Sequence, residues 1–338
     1  MEKLRKKLCK RGFEAVGITI VFLVLVFSPD INAIVTDEPI SRGTIYVDDD
    51  ADPSWYDATH VKIIKEGINN TSSGDTSDDE PDYYAVVIGV EKFIEIDDLP
   101  EDKLDDGAID IYNLLIKSKN WEKENIKLLL NENATKDSIR DSIVNWLDER
   151  ETENDVVVYY FSGHSLKMPL SKRYKGHAYS CPYDITDFQY SEDKITDIEL
   201  DSWLDELDSK HVTLILDTCY SGKMTALCQK NRVVLTAGGK HFFCGVDESD
   251  ALGNGIFTFF LLQGFKGIAD INNDGWVSAE EAYRYARLPT IFSSIWQEFP
   301  FIQEWKNKTI IWFFQIPKMY DRHPGELPII KLLSNGEL

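Results

Sequence analysis

Tyr-Tyr-Phe-Ser-Gly-His at 159–164 and Leu-Ile-Leu-Asp-Thr-Cys-Tyr-Ser-Gly at 214–222 decide how this chain is read. Each is a short apolar run that stops at a turn of small residues carrying one reactive side chain, His164 in the first and Cys219 in the second. Short, uniformly apolar, β-branched runs are the pattern of strands buried on both faces. Two such strands lying parallel would bring an imidazole and a thiol to one edge of a sheet, the placement a cysteine nucleophile requires.

Outward from these segments, strand and helix patterns alternate. Tyr84–Val90 is a continuous apolar run, residues 110–117 have helical spacing, and 127–130 reads as a short strand. Residues 133–150 carry Ile139, Ile143, Trp146 and Leu147 at helical intervals. Strands at 155–161, 212–216 and 232–236 and helices at 198–207 and 256–265 complete the series. Fully apolar strands alternating with amphipathic helices predict an α/β fold with a mostly parallel sheet covered on both faces. Ligand crevices in such sheets lie at the carboxyl ends of the strands, where His164 and Cys219 fall.

The chain has 338 residues and a formal net charge of -22. That surface repels phosphate backbones and excludes a nucleic-acid partner, while it suits basic peptides or divalent cations. Residues 1–33 have the form of a signal peptide or a membrane anchor. A basic start (Lys3 to Arg11) precedes an apolar run from Ala15 to Phe27, which is short against the ~20 residues of a membrane span. Either form puts the bulk of the protein outside the cytoplasmic membrane, secreted or at the cell surface, and makes this segment its sole membrane contact. Residues 34–82 read as an acidic linker or small arm, and 83–338 as the main domain. Of the five cysteines, Cys181, Cys219, Cys228 and Cys244 lie beyond the leader and are too scattered for a disulfide framework, although a Cys228–Cys244 bridge is open.

A thiolate at Cys219 attacks a carbonyl, His164 moves the protons, and two backbone amides must hold the developing oxyanion. Gly163 and Cys219 are the natural donors. The bland alternative, a buried histidine and a buried cysteine that only pack, has to explain two strand-end signals in matching positions.

Those residues also carry a resemblance. His164 stands upstream of Cys219 by roughly the ~50 residues expected in caspases. Asp-Thr-Cys-Tyr-Ser-Gly at 217–222 resembles the metacaspase Asp-x-Cys-x-Ser-Gly. From about Tyr83 to Ala286 the chain is similar to caspase-like cysteine peptidases, in particular metacaspases and their prokaryotic relatives. The resemblance implies a three-layer α/β/α sandwich and endopeptidase activity on protein or peptide substrates. It implies that Asp217 pairs with Arg or Lys at P1 and that Ser162 faces the same pocket; Asp217 also has a structural alternative, capping a turn or holding Thr218. The family's third pocket acid aligns with Gly107, leaving Asp106 as the displaced candidate. Ser165 replaces the glycine that usually follows the histidine.

Residues 270–281 fit a twelve-residue EF-hand-like calcium loop. Asp270, Asn272, Asp274, Trp276 (through its carbonyl), Ser278 and Glu281 occupy the ligand positions and Gly275 the turn. No second loop is apparent, so a structural Ca²⁺ is expected, and no organic cofactor. Two rival functions remain at this stage: a catalytically silent caspase-like domain that binds proteins, and a calcium-dependent adhesion or scaffold module.

Overall fold

Seven successive buried residues form the first strand, β1 (Tyr83–Gly89). Tyr83, Ala85 and Val87 enter one apolar cluster, while Tyr84, Val86 and Ile88 enter another on the opposite face. Side chains alternate across a strand, so a continuous apolar run can only be satisfied by cover on both sides. The computed structural model describes residues 80–96, 104–168, 177–188, 192–239, 254–304 and 315–333. The leader-like segment, nearly all of the acidic arm, Cys9 and Cys244 lie outside the described residues. Among the described residues, no helix is long and apolar enough to cross a membrane.

The central sheet has six strands in the order β2–β1–β3–β7–β8–β10. Its members are β2 (Ile126–Leu130), β3 (Val156–Ser162), β7 (His211–Asp217), β8 (Arg232–Thr236) and β10 (Lys318–Asp321) together with β1. All pairings are parallel except that of β10, which runs antiparallel along β8. Helices α1 (Leu104–Leu115), α4 (Ile256–Gln263) and α5 (Ala279–Glu304) supply the apolar cover of one face. Helix α2 (Lys136–Asp141), its π-helical continuation Ser142–Leu147, and α3 (Asp197–Leu204) cover the other. This is the expected α/β/α sandwich.

The remaining strands make two small sheets. β4 (Ser165–Lys167), β5 (Ala178–Ser180) and β6 (Ile195–Thr196) form an antiparallel sheet directly after His164. β9 (Trp276–Ser278) pairs antiparallel with β11 (Pro328–Lys331). The sequence reading contained neither β10 nor β11, which lack the long apolar runs of the core strands. It also drew 133–150 as one helix. The chain instead caps α2 twice, with Thr135 Oγ1 accepting from Ser138 N at 3.1 Å and Asp184 Oδ1 accepting from Lys136 N at 2.9 Å. Asp184 thus caps the start of this helix from a distant loop.

Buried charge ties the α3 layer to the sheet. Arg232 at the start of β8 reaches Asp201 at 2.6 Å and Asp205 at 2.7 Å. Cys181 and Cys228 are buried and Cys219 is half-buried; the Cys228–Cys244 pairing falls on Cys244, outside the described residues. Ser165, where relatives have glycine, is buried with its hydroxyl 3.4 Å from that of Ser180.

Candidate active site

Register places the two reactive side chains. β3 and β7 run in parallel with Ser162 opposite Asp217 as their last pair. His164 and Cys219 each lie two residues beyond that pair, at the carboxyl edge of adjacent central strands. Between them, Thr218 Oγ1 donates to the carbonyl of Gly163 at 2.6 Å and fastens the two exits together. Gly163 has a steric reason beyond substrate approach. A Cβ there would stand 3.0 Å from the Val90 carbonyl and 3.1 Å from the Phe161 ring.

Directly after Cys219 the chain reverses. Tyr220 adopts φ 53°, ψ 12°, a left-handed conformation that costs a non-glycine residue roughly 1–3 kcal/mol. The turn after β8 holds it there: Ser221 Oγ accepts from Gly238 N at 3.1 Å, and Gly222 N donates to Gly238 O at 2.9 Å. The result is a half-buried Cys219 between buried Thr218 and buried Tyr220 and Ser221. A thiol raised on a constrained turn, beside a histidine on the neighbouring strand, can serve as a nucleophile with an adjacent proton carrier.

Beneath this edge, on the α1/α4 face, lies a chain of polar groups. Thr258 donates to Asp217 Oδ2 twice, from its backbone N–H at 3.1 Å and its hydroxyl at 2.5 Å. Tyr160 Oη stands 2.7 Å from Thr258 Oγ1 and completes the line as donor. Burial pushes the Asp217 carboxyl up, while the two bonds from Thr258 act the other way. Gly255, the residue before α4, offers no side-chain cap, and a Cβ there would stand 2.4 Å from Asp217 Oδ2. Asp217 therefore caps α4 from a neighbouring strand, filling the structural role weighed for it but through Thr258 rather than Thr218.

Gly107 of α1 lies against this polar line. A Cβ on Gly107 would lie 2.8 Å from Tyr160 Oη, 3.5 Å from Thr258 Cγ2 and 3.7 Å from Ser162 Oγ. The Tyr160 hydroxyl leaves no room for a side chain at position 107. Asp106 sits half-buried in the first turn of α1. Tyr160, Thr258 and Gly255 escaped the sequence reading because their roles come from contacts between distant elements.

On the other face, β4 and β5 frame His164, whose carbonyl accepts from Cys181 N at 2.9 Å. Burial pushes the Cys181 thiol far up, with Cys219 adding to the shift, so Cys181 is an inert neighbour. Phe93 and Phe188 flank the imidazole, with ring centroids 5.8 and 6.2 Å from it.

The 270–281 loop turns through Asn273 at φ 58° and Gly275 at φ 85°. Its oxygens face its own amides. Asp274 N donates to Asn272 Oδ1 at 2.8 Å, Gly275 N to Asp270 Oδ2 at 3.2 Å, and Trp276 N to Asp274 Oδ1 at 2.9 Å. Ser278 and Glu281 close a reciprocal cap at the start of α5, each accepting from the other's N–H at 3.1 Å. Val277 is buried and pairs with Ile330 of β11. Among the described residues, no three His, Cys, Asp or Glu side chains converge to hold a metal ion.

Comparison with known proteins agrees with this architecture. The caspase domain of peptidase family C14 matches residues 82–289. The chain belongs to that family. No curated protein sequence matches it. A solved structure that it resembles is a Geobacter sulfurreducens protein from structural genomics, at 13% identity and a TM-score of 0.46. That match covers 71% of this chain and 93% of the other.

Proposed function

We propose that this family member is a cysteine endopeptidase. Cys219 attacks the scissile carbonyl, and His164 accepts the thiol proton and delivers it to the leaving amine. The amides of Gly163 and Cys219 hold the oxyanion. The observation that carries this reading is the equal step of His164 and Cys219 beyond the Ser162–Asp217 pair, with Cys219 held on a left-handed turn. In the same proposal the substrate carries Arg or Lys at P1, directed at Asp217 with Ser162 and Asp106 at its margins. The net charge of -22 supports a cationic substrate.

The test is hydrolysis of peptides bearing Arg, Lys or Asp at P1 by the reduced full chain, against a Cys219→Ala control. Cleavage after Arg or Lys that disappears in the control is expected. Cleavage after Asp alone sinks the P1 assignment, and no turnover by folded protein sinks the peptidase.

A structural Ca²⁺ in the 270–281 loop is a second part of the proposal. Oxygen donors at alternate positions and the left-handed Gly275 support it. The Glu281 carboxyl is pushed up first by burial and further by Glu326 and Asp274, a crowding of acids that a divalent cation relieves. Calcium that raises the melting temperature of the native chain but not of Glu281→Gln is the expected result; equal melting in both removes the ion from the account. The N-terminal basic and apolar segment supports export, tested by fractionating cells that express the full chain.

A further inference from the structure

The two flanks of the dyad differ in chemistry. On the α1/α4 face lies the polar line of Tyr160, Thr258 and Asp217. On the α2/α3 face, Phe93 and Phe188 meet edge to face at 5.3 Å and both stand beside the His164 imidazole. Phe93 is 6% exposed and makes a floor, Phe188 is half-buried, and Ile94 keeps 53% of its surface in solvent.

We propose that Phe93, Ile94 and Phe188 form an apolar subsite for the substrate residue immediately after the scissile bond, favouring Phe, Leu or another bulky apolar side chain. The inference rests on the peptidase reading. In that chemistry the imidazole protonates the leaving amine, so the residue carrying that amine lies against the imidazole and whatever surrounds it. The surrounding groups here are two aromatic rings, and the exposed Ile94 follows Phe93 directly in the chain.

Backbone bonds fix this segment in place. Glu91 N and Lys92 N both donate to Asn131 Oδ1 at 3.0 Å, and Ile94 N donates to Tyr183 O at 3.0 Å. On the facing segment the Tyr179 hydroxyl donates to the Phe188 carbonyl. A rim fixed in this way binds without first ordering itself.

The experiment uses quenched peptides with one fixed non-primed half and Phe, Leu, Gly or Asp after the scissile bond. A thiol-directed probe without primed residues reports Cys219 separately. The expected result is kcat/KM about tenfold or more higher for Phe and Leu than for Gly, carried mainly by KM, as one apolar contact allows. Phe188→Ala and the rim variant Ile94→Ser should each flatten that ranking, and Phe188→Leu should restore it. Cleavage with equal rates across the series, in an enzyme whose Cys219 takes the probe, overturns the subsite alone. Absence of both cleavage and labelling overturns the peptidase reading and the subsite with it.

Discussion

Two buried carboxylates mark two regions of opposite character. At the carboxyl edge of the sheet, Asp217 Oδ2 receives two donors from Thr258 and fixes the start of α4. At the corner where α5 begins, Glu280 receives one donor, Leu327 N at 3.0 Å on Oε2, and its Oε1 has no hydrogen-bond partner. Asp321 and Glu326 press on it with like charge. Both regions bury an acid, but only the edge supplies it with a pair of donors. Burial raises both carboxyls, but the edge offsets it with two donors, while the corner's Glu280 is pushed up to about 8 with one. Changes at the first should therefore cost chemistry or rigidity, and changes at the second should alter how stability depends on pH.

The largest effect separates chemistry from stability at the edge itself. Cys219→Ala should lower kcat/KM by ~10⁴-fold or more, since the loss of a nucleophile leaves only binding and oxyanion stabilisation. Its unfolding midpoint in urea should stay near that of the native chain, because the half-buried thiol is not a packing anchor. Thr258→Val comes next and does the reverse. It leaves the buried Asp217 with one donor fewer and should cost about 1–3 kcal/mol in urea unfolding. A variant as stable as the native chain would show that the Thr258 hydroxyl is not what holds Asp217, and that the backbone cap suffices.

Gly107 and Tyr160 offer a sharper probe of the same edge. Gly107→Ala drives a methyl to 2.8 Å from the Tyr160 hydroxyl and should cost about 1–3 kcal/mol by overpacking. Tyr160→Phe removes the atom in the way, so the double variant should recover part of the loss. Strict additivity of the two single effects would show that the glycine is required for another reason.

The sequence made the edge legible because its signals are local. An apolar run, a small-residue turn and one reactive side chain sit within six residues at 159–164 and again around Cys219. Alternation of such runs also implied cover on both faces, which the two apolar clusters bear out. What stayed hidden depends on partners far along the chain. Thr258 lies 41 residues from Asp217, and Tyr160 lies 98 from Thr258. β10 and β11 are short, partly covered strands that take their place from the strands they border, and nothing in their periodicity announces that. The calcium-like loop is the converse case. Its spacing is fully legible, and in the fold its oxygens accept from the loop's own amides and from the α5 cap, contacts that shape the turn.

The smallest expected effect belongs to the corner and asks whether the contrast between the two acids is real. Burial, aided by Asp321 and Glu326, pushes the Glu280 carboxyl up to about 8, while its bond from Leu327 pulls the other way. The folded chain then keeps a proton that the unfolded chain releases near the usual carboxylate range. Stability from this group is therefore present in full below that range and is lost as pH rises through about 8. Arg284, which holds Glu326 at 2.9 Å, limits the crowding but does not reach the free Glu280 oxygen, which has no partner. Glu280→Gln keeps the shape and the acceptor for Leu327 while removing the titration. Its unfolding free energy in urea should change less between pH 5 and pH 8 than that of the native chain, by about 1 kcal/mol. That is well under the ceiling of ~1.4 kcal/mol per pKa unit, because buried acids relax their surroundings. Parallel pH profiles for the two proteins would mean that Glu280 is ionised in the fold, and the corner would then be as well compensated as the edge.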